Sequence, residues 1–295
     1  MHDPPRPSLL RVWLVAVRPF AHAASALAVV LGMALTHYAG FEPRWVPFLV
    51  TLIGVVCVHT GANLMNDCFD SARGVDHEVL PTSGAIVRGW IDRRQAAATG
   101  IVFFLLGAGC GVFLFFQAGP VVLVLAAAGL ALAAAYTTPG PCLKYAGLGD
   151  ATIFLTFALL PVFGTFWVQT RQFNPWPLLW SVPLGAYTVA ILHANNWRDI
   201  SRDREARCRT VASRLGPQRS AIYYRILVLG PFPLAAVYVV LSTVADLGGP
   251  PSWTALLVVL ALPRALQLAR TDPRRTPDLD ARTAQLQLTF GLLLT

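Results

Sequence analysis

The stretch Ala96–Gln117, AAATGIVFFLLGAGCGVFLFFQ, decides the fold, because its 22 residues include no charged side chain. As an α-helix it would be about 33 Å long, enough to cross the ~30 Å hydrocarbon core of a bilayer. A second uncharged stretch, Gly119–Thr138, follows after a single residue. The two stretches predict a pair of neighbouring helices that span a membrane.

The rest of the chain has the same character. Of its 295 residues, 55% are hydrophobic and 13% are charged, whereas soluble domains carry about 25% charged residues. Further candidate spans are Pro19–Tyr38, Val46–Met65, Ala151–Val168, Trp176–Leu192 and Leu227–Val244, with two weaker ones at Ser252–Leu268 and Thr283–Thr295. Together they predict an all-α integral membrane protein, one domain over residues 1–295, with about nine transmembrane helices. The last stretch has only 13 residues, so it is either truncated or does not cross fully.

The formal net charge of +8 follows the predicted topology. Of the 23 basic residues, 21 fall in alternate loops, and only Arg44 and Arg171 fall in the other set. Basic residues concentrate in cytoplasmic loops, so the N-terminus is predicted to be cytoplasmic and no nucleic-acid partner is expected. Three long polar loops, about residues 66–95, 138–150 and 196–220, then face the cytoplasm together. Long loops on one side are the expected place for function.

The first polar motif is NLMNDCFDSARGVD, residues 63–76, at the inner end of the second span. If the helix continues through it, His59, Asn63, Asn66 and Asp70 fall at i, i+4, i+7 and i+11, on one face. A charged residue at mid-bilayer costs on the order of 2.5–3.5 kcal/mol. Asp70 is therefore expected to face a cavity or a partner rather than lipid.

The second polar motif is HANNWRDISRDRE, residues 193–205, in which Asn195, Asp199 and Asp203 recur at i+4 spacing. The pattern Asn-x-x-x-Asp is thus shared by Asn66/Asp70 and Asn195/Asp199, 129 residues apart, each pair at the inner end of the second span of a four-span unit. This predicts two pseudo-repeated four-helix units plus a last helix, arranged around a central cavity.

Both motifs offer oxygen ligands only, which suits Mg²⁺, an ion held by one or two carboxylates together with phosphate oxygens. Carboxylates alone would also suit a cation transporter. Basic residues in the same predicted loops favour a phosphate ligand, because Arg and Lys bind phosphate oxygens. These bases are Arg73, Arg88, Lys144, Arg198 and Arg202. The combination predicts one Mg²⁺-dependent diphosphate site that faces the cytoplasm.

At these residues the chain resembles the UbiA superfamily of intramembrane aromatic prenyltransferases. Within it, the likeness is greatest to the menaquinone-pathway 1,4-dihydroxy-2-naphthoate polyprenyltransferases and the related vertebrate vitamin-K prenyltransferases. The most specific stretches are NLMNDCFDSARGVD (63–76), LKYAGLGD (143–150) and ILHANNWRDISRDREARCRTVASRLG (191–216). One departure is Cys68, where a tyrosine is usual in the family.

The resemblance implies roles for the matching residues. The catalytic candidates are Asn66, Asp70, Asp76, Lys144, Asn195, Asp199 and Asp203, of which Asn66, Asp70, Asp199 and Asp203 would hold Mg²⁺. The candidates for substrate binding are Arg18, Asn63, Arg73, Arg88, Tyr136, Tyr145, His193, Asn196, Arg198 and Arg202. Among all of these, Arg18, Arg73, Arg88 and Lys144 would contact diphosphate, and Tyr136 would lie near the aromatic acceptor.

The resemblance also implies a reaction. A polyprenyl group would pass from polyprenyl diphosphate to 1,4-dihydroxy-2-naphthoate with loss of CO₂, giving demethylmenaquinone for menaquinone biosynthesis in the plasma (inner) membrane. Two alternatives stay open: transfer to another acceptor such as 4-hydroxybenzoate, homogentisate or haem, or a non-enzymatic membrane carrier of Mg²⁺ or polyprenyl diphosphate. The outer halves of the third to fifth spans contain few polar residues, which counts against a carrier.

Overall fold

A computed structural model describes residues 7–72, 84–138, 142–244 and 253–295. The regular structure in these ranges is helical and includes no β-strand. The α-helices are α1 (Leu9–Val17), α2 (Pro19–Tyr38), α3 (Trp45–Ala72), α4 (Arg93–Ala118), α5 (Pro120–Ala135), α6 (Gly149–Phe154), α7 (Leu160–Thr170), α8 (Trp176–Arg198), α9 (Ile200–Glu205), α10 (Val211–Leu229), α11 (Pro231–Val244), α12 (Leu262–Ala269) and α13 (Leu279–Leu294). Two π-helical turns, Lys144–Leu148 and Leu155–Leu159, and a 3₁₀ segment, Trp253–Ala261, complete the series.

Six helical spans among the described residues are long and apolar enough to cross a membrane. They are Ala21–Tyr38, Trp45–Ala72, Arg93–Ala118, Lys144–Thr170, Trp176–Arg198 and Val211–Val244, and two shorter apolar helices are Pro120–Ala135 and Trp253–Ala269. The prediction of an all-helical integral membrane protein is therefore confirmed. The count of nine spans stays a prediction.

The polar segments predicted as long loops contain helical stretches among their described residues. Helix α3 continues to Ala72, well past the predicted end of its apolar stretch at Met65. Helices α9 and α10 occupy most of the third predicted loop. The motif side chains find polar partners inside the protein, so the backbone keeps its helical hydrogen bonds beyond the apolar stretch.

The largest apolar core lies where α2, α8, α10 and α13 meet, and Leu31, Tyr187, Tyr224 and Phe290 are buried in it. The rings of Tyr187 and Phe290 are 4.9 Å apart between centroids. The Tyr187 hydroxyl donates a 3.0 Å hydrogen bond to the Val228 carbonyl, so a polar atom in this core is satisfied. Helix α13 packs on both α2 and α8 and thereby joins the two halves of the chain.

Gly32 marks a close approach of α2 and α7, and it gives a test of this packing. A Cβ atom at Gly32 would lie 2.5 Å from the Val162 carbonyl oxygen and 2.7 Å from Thr165 Cβ. Because a backbone atom cannot rotate away, we expect Gly32→Leu to overpack the interface and to cost about 1–3 kcal/mol of stability. The unfolding temperature in detergent should fall below that of Gly109→Leu, whose Cβ meets nothing within 4 Å. Equal unfolding temperatures would contradict the close approach.

Candidate active site

The described part of the first motif lies on a continuous helix, as predicted, because α3 runs unbroken from Trp45 to Ala72. Asp70, near its inner end, is only 2% exposed. Its Oδ2 accepts a 2.7 Å hydrogen bond from Lys144 Nζ, which also donates to Asn66 Oδ1 at 3.3 Å. A carboxylate this deeply buried requires such a partner, because an unpaired charge there would be strongly destabilising.

Lys144 and Tyr145 reach Asp70 from the segment after α5. The Leu143 and Lys144 backbone amides donate to the carbonyls of Ala135 and Tyr136 at 3.0 Å each, which folds this segment back against the end of α5. The π-helical turn then begins at Lys144. The Tyr145 hydroxyl donates a short hydrogen bond to Asp70 Oδ1. Both carboxylate oxygens of Asp70 are thereby held by donors from one short segment.

The helix that carries the second motif is interrupted at Asp199. Helix α8 ends at Arg198, Asp199 is its C-cap, and α9 starts at Ile200. Arg198 donates to Asn195 Oδ1 and, from Nε at 3.2 Å, to Asp199 Oδ1. Arg202 Nη1 lies 3.7 Å from the same Asp199 oxygen. Two guanidinium groups therefore surround one carboxylate at the end of α8.

Asp203 lies one helical turn after Asp199 and is only 6% exposed. Thr210 donates a 2.8 Å hydrogen bond to its Oδ2. Burial, more than any other influence, raises the pKa of Asp203 to about 6, while Thr210 and Lys144 lower the pKa and the Asp199 and Asp70 carboxylates raise it. The pKa of Asp203 is therefore influenced by charged groups of both motifs.

One backbone contact supports the same conclusion. The Arg209 amide donates to the Tyr145 carbonyl at 3.3 Å. The segment that follows the second motif is therefore hydrogen-bonded to the segment that holds Asp70. The segments next to the two motifs, far apart in sequence, are therefore adjacent in the structure.

Arg18 forms an ion pair with Asp67 of the first motif. It lies between α1 and α2 in the left-handed conformation, with φ of 52°. Its Nη2 is 2.5 Å from Asp67 Oδ1, and both side chains are largely buried. Arg18 is therefore close to the predicted diphosphate residues through Asp67, a partner that the sequence analysis did not assign to the site.

The other predicted residues are placed less centrally. Asn63 is on the motif face, and its Nδ2 is buried without a hydrogen-bond partner. Tyr136 is the buried C-cap residue of α5 and precedes Lys144 by eight residues. The Arg88 guanidinium lies 4.7 Å above the Trp90 ring. Arg73 and Asp76 lie outside the described residues.

His193 lies in the packing between α8 and α10. His193 is fully buried, and its Nε2 is 3.2 Å from the Ser220 carbonyl of α10. Its Nδ1 is 3.9 Å from Asp150 Oδ2. Asn196 is 6% exposed. Substrate contact by these two residues stays a prediction.

Two further residues, which were not predicted from the sequence, hold motif side chains. Thr210 bonds Asp203, and Asp280 of α13 lies 3.9 Å from Arg198 Nη1. A signal for Thr210 exists, because a threonine before a helix is a common N-cap and its hydroxyl here also accepts from the Ser213 amide at 3.1 Å. Nothing in the spacing indicates Asp280, which belongs to a distant helix.

The donor set suits a hard cation that shares a phosphate ligand. In the described part of the chain, no group of three or more His, Cys, Asp or Glu side chains is placed to hold a metal ion by itself. Mg²⁺ commonly uses one or two carboxylates and completes its shell with waters and phosphate oxygens. In chemical type, the carboxylate and amide oxygens of the two motifs suit Mg²⁺ that shares a phosphate ligand, whereas zinc and copper favour His and Cys.

Comparisons with a family model and with curated relatives point to the same protein family. The model of the UbiA prenyltransferase family matches residues 25–289. UbiA prenyltransferase domain-containing protein 1 of Xenopus tropicalis is 31% identical over 284 residues, covering 95% of this chain and 79% of the relative. The Danio rerio protein of the same name is 32% identical over 284 residues, covering 95% and 81%.

A solved structure supports the fold. The UbiA homolog from Archaeoglobus fulgidus bound to GPP and Mg²⁺ superposes with a TM-score of 0.64 at 13% identity, over 96% of this chain and 99% of that one. At this identity the likeness concerns the helical arrangement alone.

Proposed function

The chain belongs to the UbiA prenyltransferase family, and from this premise we propose that it transfers a polyprenyl group from polyprenyl diphosphate to 1,4-dihydroxy-2-naphthoate. The observation that carries the proposal is the placement of Lys144: its ammonium bonds Asp70 of the first motif, and the neighbouring Tyr145 carbonyl accepts from the Arg209 amide, which follows the second motif. A base between two acidic motifs is what a metal-bound diphosphate requires. We further propose that the site faces the cytoplasm of the plasma (inner) membrane.

Mg²⁺ is the proposed cofactor, and Asp70, Asp199, Asp203 and Asn66 are its proposed ligands. The Archaeoglobus fulgidus homolog is bound to GPP and Mg²⁺, which supports both the ion and a prenyl diphosphate donor here. When bound, the ion would neutralise diphosphate charge and so favour the departure of diphosphate.

The chain's own bases would complete the donor site. Lys144 has three N–H donors and Arg198 has five, and at present they bond Asp70, Asn66, Asn195 and Asp199. We propose that part of this capacity passes to diphosphate oxygens when the donor binds. Donors already fixed beside the leaving group stabilise the charge that develops as the allylic C–O bond breaks and its electron pair goes to the diphosphate.

The acceptor completes the reaction. An electron-rich ring carbon of the naphthoate attacks the allylic carbon, and the carboxylate on that ring carbon then leaves as CO₂, returning its bonding pair to the ring. Apolar side chains below the motif face would keep water from the allylic cation. Phe104 and Phe157, which pack around Ala62 and Ala133, are proposed for this role. Tyr136 is the residue proposed beside the acceptor.

The direct test supplies purified protein in nanodiscs with Mg²⁺, geranylgeranyl diphosphate and a panel of acceptors. We expect a prenylated naphthoquinol, identified by mass spectrometry, from 1,4-dihydroxy-2-naphthoate, and no product when EDTA replaces Mg²⁺. A product formed only from 4-hydroxybenzoate, homogentisate or haem would reassign the acceptor. No product from any acceptor, together with Mg²⁺-dependent binding of the donor, would favour a carrier.

A smaller change tests how Asp70 is held. Tyr145→Phe removes the hydroxyl that bonds Asp70 but keeps the ring, whose centroid lies 5.3 Å from Lys144 Nζ. A hydrogen bond to a charged group contributes about 1.5–3 kcal/mol, so kcat/KM for the donor should fall by about tenfold to a hundredfold. The control is Tyr238→Phe, because the Tyr238 ring packs on Trp180 and lies away from the motifs. Equal kcat/KM in the two variants would show that Tyr145 does not act through Asp70.

A further inference from the structure

A buried polar cluster lies between α6, α8 and α10, apart from the side chains that bond Asp70. Its members are Asp150, the second residue of α6, His193 of α8 and Tyr223 of α10. Asp150 is 7% exposed and His193 is fully buried. Buried groups that can carry a charge need a partner, and the reaction derived above uses neither side chain. The cluster therefore requires an explanation of its own.

The contacts of His193 determine which ring nitrogen carries its hydrogen. Its Nε2 is 3.2 Å from the Ser220 carbonyl oxygen, which can only accept, so Nε2 is the donor. In the neutral ring, Nδ1 is then an acceptor. The Tyr223 ring packs edge-on against the imidazole, with centroids 4.7 Å apart and an angle of 88° between the planes. The orientation of the imidazole is therefore fixed on two sides.

The Nδ1 atom of His193 faces Asp150 Oδ2 at 3.9 Å. Both atoms are buried without a hydrogen-bond partner, although the Tyr223 hydroxyl interacts with the same carboxyl group. Two unpaired polar atoms in a protein interior are unfavourable, and a side-chain rotation that shortens their separation by about 1 Å gives a hydrogen bond. A carboxylate oxygen and an imidazole lone pair both accept, so this bond needs one proton between them.

Asp150 is continuous with the segment that holds Asp70. It follows the π-helical turn Lys144–Leu148 after a single residue, Gly149. A Cβ atom at Gly149 would lie 3.5 Å from Lys144 Cα and 3.5 Å from the Tyr136 ring. The start of α6 thus packs directly on this segment, and a displacement of Asp150 would move Lys144 with it.

His193 is continuous with the second motif in the same way. It is the first residue of that motif and lies on α8, two positions before Asn195. The Lys144 segment is already bonded to α10, because Arg214 Nη2 donates to the Ala146 carbonyl at 2.7 Å. The contact of His193 with Asp150 joins the segment to α8 as well.

We propose that Asp150 and His193 share one proton in a hydrogen bond that positions the Lys144 segment against α8. Both are positioning residues, because they act through Lys144 and Tyr145, the side chains that hold Asp70. Loss of the bond would let these two donors move relative to the second motif and would weaken the binding of a diphosphate between the motifs. This consequence for the donor rests on the proposed function, whereas the bond itself does not.

The test uses variants that separate the hydrogen bond from the volume of the side chain. Asp150→Leu removes the carboxyl group, whereas Asp150→Asn keeps a donor for His193 Nδ1. His193→Gln keeps a donor for the Ser220 carbonyl and removes the Nδ1 acceptor. The matched control is Gln287→Leu, which removes another buried bond of α8, the 2.7 Å bond from Gln287 Nε2 to Thr188 Oγ1.

The first readout is amide hydrogen exchange of residues 143–148 in nanodiscs without donor. We expect about tenfold faster exchange in Asp150→Leu and His193→Gln, because the segment opens more readily once a buried group is left unpaired. Asp150→Asn should recover most of this loss, and Gln287→Leu should exchange like the wild type. Unchanged exchange in His193→Gln, or equally fast exchange in Asp150→Asn and His193→Gln, would overturn the proposal even if Asp150→Leu does not fold.

The second readout is the Mg²⁺-dependent Kd of an unreactive donor, geranylgeranyl thiodiphosphate. We expect Asp150→Leu and His193→Gln to weaken binding about tenfold and Asp150→Asn to recover most of it. Binding by the wild type with an unchanged Kd in His193→Gln would overturn the positioning role. Failure of the wild type to bind the donor would count against the proposed function instead. In that case hydrogen exchange decides the inference, because faster exchange in His193→Gln supports the bond and unchanged exchange overturns it.

Discussion

Prenyl transfer is expected to fall by about a thousandfold when Asp70 is replaced by asparagine, because the substitution removes a charge and leaves the shape of the side chain. The Asp70 carboxylate accepts hydrogen bonds from Lys144 and Tyr145 and is almost fully buried. The neutral amide in its place would leave the Lys144 charge without its counterion and would remove a proposed Mg²⁺ ligand. The measurement is kcat/KM for geranylgeranyl diphosphate at saturating acceptor.

The control for Asp70→Asn is Asp272→Asn, the same chemical change in another ion pair. Asp272 Oδ2 lies 2.6 Å from Arg274 Nη2, in an exposed turn between α12 and α13. Exposed pairs contribute about 0–1 kcal/mol and Asp272 has no place in the proposed site, so its variant should retain wild-type kcat/KM. If Asp70→Asn kept kcat/KM within about tenfold of that control, Asp70 could not be a ligand of the diphosphate site.

The second large effect is expected at Lys144. Lys144→Met keeps the length of the aliphatic chain but removes the ammonium that bonds Asp70 and Asn66. Breaking a buried pair from one side costs about 3–5 kcal/mol, because the remaining charge is left unpaired. We therefore expect lower thermal stability together with a fall in kcat/KM of about a hundredfold or more.

A loss of stability alone would not establish the catalytic role of Lys144, so the double variant Lys144→Met/Asp70→Asn is informative. It removes both charges, and it should recover much of the thermal stability but none of the activity. Arg274→Met, from the exposed pair with Asp272, controls for the loss of a surface base. Recovery of prenyl transfer in the double variant would contradict a role for either side chain in binding diphosphate.

The sequence predicted the first half of the site well. Spacing alone indicated that Asn63, Asn66 and Asp70 share a helix face, and α3 does continue through them. Local periodicity is sufficient there, because an unbroken helix fixes the relative direction of its side chains. The all-helical membrane fold was equally accessible, since uncharged stretches of spanning length have few alternatives in a bilayer.

Contacts between distant segments could not be read in the same way. The ion pair of Arg18 with Asp67 depends on a left-handed residue between two helices, and no residue type there signals it. The break at Asp199 interrupts an i+4 pattern that reads as one helix. The π-helical turn at Leu155–Leu159 is also invisible to periodicity, because the apolar composition of its span is uniform. It nevertheless directs Phe157 toward His59.

The central claim is that two motifs form one diphosphate site, and a double-variant binding cycle tests it most directly. The measurement is the Mg²⁺-dependent Kd of an unreactive donor, geranylgeranyl thiodiphosphate, for the wild type, Asp70→Asn, Asp199→Asn and the double variant. Residues that share one ligand show coupling of about 0.5–3 kcal/mol, whereas independent sites add. We predict that each single variant weakens binding strongly and that the double variant is little worse than either. Strictly additive losses, or unchanged binding in one single variant, would contradict a shared site.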